Sequence, residues 1–287
     1  MRDLIQKAAV LIEALPYIKA FFGKTLVVKY GGKAMVDEEL KRAVILDIIL
    51  MHYVGMRPIL VHGGGPQIDQ AMNRAGLKPQ CVGGLRVTDP ETMRIVEQVL
   101  VGEINQEIVS LINRHGGSAV GLSGKDGGLI KARKASPVRG SEEVDLGLVG
   151  EIVEINPLIL RALEKDGFIP VVAPTGFGED GATYNINADL VAGELAAALS
   201  AEKLILLTDT DGILDKKGRL LSTLNRKEVE GLIEDGTISE GMLPKVQACL
   251  TALNGGVRKT HIINGTIPHA LLLEIFTMGG VGTEIIS

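Results

Sequence analysis

Along the chain, apolar residues first recur at helical spacing. Leu4, Ile5, Ala8, Leu11, Ile12 and Leu15 lie three and four positions apart and form one stripe of an amphipathic helix. Pro16 kinks or restarts that helix, Tyr17 to Phe22 continue it, and Gly23 is placed to stop it. Such a helix either packs back on its own domain or reaches as an arm onto another subunit. From Thr25 the pattern changes: short apolar runs alternate with helical segments, the signature of a mostly parallel sheet covered on both faces.

The runs predict strands at Thr25–Tyr30, Pro58–Val61, Ser118–Leu122, Phe168–Ala173, Lys203–Thr208 and Lys259–Ile263. Helices are expected from Asp37 to Gly55, Pro66 to Ala75, Asn156 to Gly167, Asn187 to Ser200, Arg226 to Glu234, Pro244 to Leu253 and Pro268 to Phe276. Thr88-Asp89-Pro90-Glu91, a capping residue before proline, opens a long helix to about His115. Between Leu129 and Ile155, polar and apolar residues alternate around Pro137, Arg139-Gly140 and Gly147, which predicts hairpins. The expected fold is α/β, an open three-layer αβα sandwich with a central, mostly parallel sheet and two lobes. Residues 1–24 would form the N-terminal arm, 25–199 the N-terminal lobe and 200–287 the C-terminal lobe.

Composition narrows the class. A net charge of −5 argues against a polyanion-binding surface but not against one locally basic pocket, so nucleic acid is not an expected partner. Cys81 and Cys249 are far apart without metal-ligand spacing; as small buried hydrophobes they fit a reducing cytoplasm. The most apolar stretch, Ala43 to Val54, is interrupted by Asp47 and His52 and is too short for a bilayer. No secretory signal is expected either, because an acid comes early and no apolar core with a cleavage site follows.

Candidate chemistry gathers at two glycine turns that each end an apolar strand, Lys29-Tyr30-Gly31-Gly32 and His62-Gly63-Gly64-Gly65-Pro66. Backbone without side chains, followed by a helix N-terminus, suits an anion. Gly23-Lys24-Thr25 lacks the leading glycine of a P-loop, and Gly124-Lys125-Asp126 lacks that glycine and the hydroxyl. Gly176 to Gly181 fits G-x-G-x-x-G but carries Glu179 and Asp180 where a pyrophosphate would lie; a loop is the alternative to a dinucleotide site. Lysines are ordinarily solvated surface charges. Lys29, however, runs from an apolar strand into a glycine turn, and Lys245 sits in a first helical turn, where the dipole disfavours a cation unless an anion is near.

Lys29-Tyr30-Gly31-Gly32, Val61-His62-Gly63-Gly64-Gly65-Pro66, Gly84-Leu85-Arg86-Val87-Thr88, Asn185-Ile186-Asn187-Ala188-Asp189, Leu207-Thr208-Asp209-Thr210-Asp211-Gly212 and Gly241-Met242-Leu243-Pro244-Lys245 follow one another in an order and spacing that resembles the amino-acid kinase family. The resemblance covers nearly the whole chain and is nearest to the branch that phosphorylates N-acetyl-L-glutamate in arginine biosynthesis. It implies MgATP as phosphoryl donor and the side-chain carboxylate of N-acetyl-L-glutamate as acceptor, with no protein ligand assigned to the Mg²⁺. It implies that Lys29 and Lys245 act on the transferred phosphoryl group and that Asp189 holds both. Gly64, Gly65, Arg86 and Asn185 would bind the acceptor; Gly31, Gly32, Thr208, Asp209, Asp211 and Gly212 would bind the nucleotide. The N-terminal helix resembles that of the arginine-inhibited, hexameric members, built as trimers of dimers. An L-arginine site at Tyr17, Lys203, His261, Glu274, Gly280 and Gly282 follows, with a PII-type signalling protein as a further candidate partner. Carbamate kinase and glutamate 5-kinase are the rivals of the same fold, and a non-catalytic arginine sensor is the rival of another class.

Overall fold

Eight strands form the central sheet of this computed structural model, which describes residues 1–136, 138–139, 143–277 and 279–287. In chain order they are β1 (Thr25–Tyr30), β2 (Arg57–His62), β3 (Ala119–Ser123), β4 (Ile169–Ala173), β5 (Lys203–Thr208), β6 (Thr223–Asn225), β7 (Lys259–Asn264) and β8 (Thr283–Ile286). Their order across the sheet is β6-β8-β7-β5-β1-β2-β4-β3, and every pairing is parallel except β7 with β8. Leu26, Val27, Val28, Ile59, Leu60, Val61 and Leu204 to Leu207 are all buried, as continuous apolar runs must be when helices cover both faces. β6 and β8 are short and carry Thr, Asn and Glu, so no apolar run announces them.

The helices are α1 (Arg2–Glu13), α2 (Leu15–Phe21), α3 (Glu38–Tyr53), α4 (Gly65–Arg74), α5 (Pro90–Glu97), α6 (Asn105–Arg114), α7 (Leu158–Lys165), α8 (Ala188–Leu199), α9 (Arg226–Glu234), α10 (Leu243–Asn254) and α11 (Ala270–Phe276). The caps read from the sequence are made: Asp37 accepts from the N–H groups of Glu39 and Leu40, and Asp89 from that of Thr92. The long helix from Pro90 is continuous to Arg114 but widens into a π-helical stretch at Gln98–Ile104. Pro16 restarts the N-terminal helix as expected, and Tyr17 of α2 meets Phe276 edge-on at 6.4 Å. α1 keeps its apolar stripe in the open, with Leu11 74% and Ile12 67% exposed.

A second sheet of four strands joins Thr183–Asn185, Thr175–Phe177, Ile130–Lys134 and Gly150–Ile155 in that order. The antiparallel pairing of Ile130–Lys134 with Gly150–Ile155 is the hairpin geometry expected there; Pro137 and Gly140 lie outside the described residues. The G-x-G-x-x-G stretch is the loop of an antiparallel hairpin, Gly178 N–H donating to Ala182 O at 2.9 Å, the alternative to a dinucleotide site, and it opens onto a strand rather than a helix N-terminus. Cys249 is buried, but Cys81 is exposed, against expectation, because it stands on the small hairpin Cys81–Val82/Leu85–Arg86 outside the core. Both thiols are free. Among the described residues, no helix is long and apolar enough to cross a membrane.

Candidate active site

The chain leaves β1 toward β2 on one side, while β5 on the other side of β1 continues outward to β7, so the connections part between β1 and β5. A crevice at the carboxyl ends of strands on either side of such a reversal is the usual ligand position in open α/β sheets. Gly31-Gly32 leaves β1 there and Asp209 leaves β5. Asp209 Oδ1 accepts from Lys33 N–H at 2.7 Å, which ties the first glycine turn to the neighbouring strand. Gly32 has φ of +71°, and a Cβ would stand 2.3 Å from that carboxylate oxygen, so glycine is required twice over. At Gly31 a Cβ would meet Lys29 Nζ at 2.7 Å, so its absence leaves room for the ammonium. The second turn is lashed to the first by Gly63 N–H donating to Tyr30 O at 2.8 Å, and it passes directly into α4.

Lys245 is far from this turn in sequence and reaches it through a close helix pair. α8 and α10 lie side by side: a Cβ on Gly193 would stand 2.6 Å from Ala248 O, and one on Gly255 2.3 Å from Ala197 Cβ. Small residues at the contact set the interaxial distance. The Asn187 side chain caps α8 by accepting from Asp189 and Leu190 N–H, placing Asp189 in the first turn, where the helix dipole favours an acid. Asp189 Oδ2 accepts from Lys245 Nζ at 2.8 Å, and Asp189 Oδ1 lies 3.1 Å from Lys29 Nζ as a charge pair without hydrogen-bond alignment. Lys29 is 8% and Asp189 6% exposed. Burial alone would raise the Asp189 pKa, but the two ammonium groups outweigh it and hold the carboxyl below its ordinary range. Lys29 is lowered from its ordinary value, first by burial and then by Lys245, with Asp189 opposing.

The acceptor candidates form a neighbouring cluster. Arg86 donates from Nη1 to Asp69 Oδ1 at 2.6 Å and from Nη2 to Gly65 O at 3.3 Å, so its guanidinium is held against the start of α4. Asn185 Nδ2 donates to Thr88 Oγ1 at 3.3 Å, and that hydroxyl donates to Arg86 O at 2.8 Å. Sequence reading missed Asp69: an acid one turn into a helix looks like an ordinary surface charge. At the end of β5, Asp211 Oδ1 accepts from Asn264 Nδ2 at 2.7 Å, and Gly212, at φ +136°, presses against Thr283. Thr208 O accepts from Gly265 N–H at 2.8 Å, so the nucleotide candidates Thr208, Asp209, Asp211 and Gly212 all lie along one strand exit. Among the described residues, no group of three or more His, Cys, Asp or Glu could hold a metal ion.

The six residues expected to form an arginine site also lie in one region. Glu274 Oε1 lies 3.2 Å from Lys203 Nζ and 2.8 Å from His261 Nδ1, and its Oε2 accepts from Val281 N–H at 3.1 Å. These partners, led by His261, overcome burial and pull the Glu274 pKa down to about 2. Gly280 and Gly282 take φ of +55° and +119°, and a Cβ on Gly280 would stand 2.9 Å from Glu274 Oε2. A cavity of about 220 Å³ opens onto Lys203, His261, Glu274 and the Gly279–Gly282 backbone. Lys203 Nζ also lies 5.4 Å from the Phe21 ring centre, so α2 with Tyr17 borders the region.

A model of the amino acid kinase family matches residues 24–264. An acetylglutamate kinase of Geobacter sp. (strain M21) is 56% identical, over 99% of each chain. Among solved structures, the N-acetylglutamate synthase of Neisseria gonorrhoeae complexed with coenzyme A and N-acetyl-glutamate superposes with a TM-score of 0.86 at 30% identity, over 98% of this chain and 63% of that longer one. The same synthase complexed with coenzyme A and L-arginine gives 0.82 at 29% identity, over 97% of this chain and 65% of that one.

Proposed function

The chain belongs to the amino acid kinase family, and from that premise we propose that it transfers the γ-phosphoryl group of ATP to the side-chain carboxylate of N-acetyl-L-glutamate. A relative named acetylglutamate kinase, 56% identical along 99% of both chains, supports the choice of acceptor. The observation that carries the chemistry is the buried Asp189 carboxylate holding two ammonium groups, at 3.1 and 2.8 Å, beside both glycine turns.

A carboxylate acceptor is ionised near neutral pH, so the reaction needs no general base. One of its oxygens forms a bond to the γ-phosphorus while the bond from that phosphorus to the bridging oxygen breaks, and ADP leaves with the electron pair. The obstacle is pressing one anion onto another, and catalysis rests on positioning and positive charge. Lys29 and Lys245 supply that charge on either side of the phosphoryl group, and Asp189 keeps them from repelling each other apart. Gly31 and Gly32 carry the donor's phosphates, while Thr208, Asp209, Asp211 and Gly212 border the nucleotide. Gly64 and Gly65 offer N–H groups at the helix start, and Arg86 and Asn185 grip the acceptor. Mg²⁺ would be carried by the nucleotide phosphates and water, as it usually is, and would supply further charge neutralisation there.

The cluster around Glu274 favours a second role for the same protein, feedback inhibition by L-arginine. A buried carboxylate suits a guanidinium, and the neighbouring Lys203 and glycine N–H groups suit an α-carboxylate. The related synthase has been solved with L-arginine. The open apolar stripe of α1 fits pairing with another copy, within a hexamer built as a trimer of dimers. The deciding assay follows ADP release with N-acetyl-L-glutamate, glutamate, aspartate, carbamate and UMP in parallel, with and without arginine. Highest activity on any but the first acceptor overturns the main reading.

A further inference from the structure

Behind the second glycine turn, the helical backbone departs from α geometry at Gln98–Ile104. Such π turns are uncommon and recur at functional sites, because one extra residue re-aims the side chains that follow. Here the stretch shapes itself to Gly64: a Cβ on that glycine would stand 2.6 Å from both Leu100 Cδ2 and Ile104 Cδ1.

Asn105 follows immediately and is buried. Its amide nitrogen donates to Val171 O at 2.9 Å and to His62 Nε2 at 3.2 Å. Its amide oxygen faces Gly121, where a Cβ would stand only 1.9 Å away. An imidazole whose Nε2 accepts a hydrogen bond carries its proton on Nδ1. That Nδ1 lies 2.9 Å from Gly63 O and donates to it. The ring is buried, which lowers its pKa to about 4 and keeps it neutral.

The consequence comes from peptide geometry. The carbonyl of Gly63 and the N–H of Gly64 belong to one planar, trans peptide and point in opposite directions. Holding the carbonyl back against His62 therefore turns the Gly64 N–H forward, while the Gly63 N–H is occupied by Tyr30 O.

We propose that Asn105 and His62 are positioning residues that, backed by the π-helical stretch, fix the Gly63–Gly64 peptide plane and aim the Gly64 N–H at the acceptor side of the phosphoryl-transfer cleft. The inference rests on the reading of that cleft given above. It requires a proton on His62 Nδ1, and Asn105→Asp draws the neutral ring's proton to the other nitrogen without changing shape. At about pH 8 the carboxylate accepts from Nε2–H, so the neutral ring's one proton sits on Nε2, Nδ1 is left without one, and kcat with N-acetyl-L-glutamate falls about tenfold while KM for ATP is unchanged. Near pH 6 the ring, paired with the new carboxylate, is doubly protonated, the bond to Gly63 O returns, and kcat recovers to within about threefold of the unaltered enzyme at that pH. Asn105→Ala loses kcat at both pH values. A kcat ratio for Asn105→Asp that is the same at both pH values, or more than half of kcat retained by Asn105→Ala, overturns the proposal. If Asn105→Ala does not fold, the pH profile of Asn105→Asp decides alone. Lys245→Ala is assayed beside them. If it keeps its kcat, the reading of the cleft has failed; if it loses activity while the Asn105 variants do not, the positioning role alone has failed.

Discussion

Two buried carboxylates in this protein each hold two basic side chains, Asp189 with Lys29 and Lys245, and Glu274 with Lys203 and His261. Both are pulled below the ordinary carboxyl range by those neighbours against the effect of burial. They differ in their place on the sheet. β1 and β5 run parallel with Leu26 beside Lys203 and Lys29 beside Leu206, so Lys29 stands near the carboxyl end of its strand and Lys203 at the amino end of the next. The Asp189 cluster therefore faces the crevice where glycine turns and helix N-termini converge, while the Glu274 cluster lies under α2 and the last strands. Similar groups of charges serve different ends because strand polarity decides what lies next to them. β5 touches both, beginning at Lys203 and ending beside Asp209.

The comparison is broken most severely by removing a cation from the first cluster. Lys245→Ala should lower kcat by about 10³-fold with KM for ATP changed by no more than about threefold, since the charge is needed most in the transition state. Steady-state kinetics with both substrates varied would read this, and an unaltered kcat would refute the assignment. Glu274→Gln should instead leave kcat within about twofold while weakening arginine inhibition about tenfold or more, because a neutral amide cannot pair with a guanidinium. Equal loss of kcat in the two variants would erase the distinction between the clusters.

Acid stability sharpens the same contrast with a smaller effect. The Glu274 pKa is lowered from 4.5 to about 2. Its contribution to stability is therefore present above pH 4.5 and lost as pH falls toward about 2, a change of roughly 3 kcal/mol by linkage. Urea unfolding of Glu274→Gln across that window should show a shallower loss of stability than the unaltered chain. The smallest effect on catalysis is expected from deleting residues 1–23, which should leave kcat within about twofold and reduce both assembly size and the arginine response. Sedimentation and inhibition curves on that variant check it; an unchanged response to arginine would detach α2 from the proposed arginine role of the Glu274 cavity.

Much of this was legible in the residue pattern. Apolar runs located six of the eight central strands because parallel strands covered on both faces must be apolar throughout. β6 and β8 escaped notice because Thr, Asn and Glu interrupt them at the edge of the sheet. Caps at Asp37 and Asp89 were readable since they depend on one residue and the N–H groups just after it. The π-helical stretch was not, because nothing in Gln98–Ile104 departs from a helical pattern and the register is set by what packs against it. Likewise Cys81 carries no local sign that it stands on an exposed hairpin.

For the site, the sequence by itself determined the ingredients: two glycine turns that each end an apolar strand, the order of strands and helices, and the cations available. Tertiary structure decided the pairings. Asp189 meets Lys245 across 56 residues of chain because α8 and α10 approach on Gly193, Ala197, Ala248 and Gly255, and it meets Lys29 across 160 because α8 packs on β1. Arg86 finds Asp69, and His62 finds Asn105, by the same long-range packing. Local chemistry is written in consecutive residues, whereas the distance between charges depends on which surfaces pack together, and that is settled by the whole chain at once.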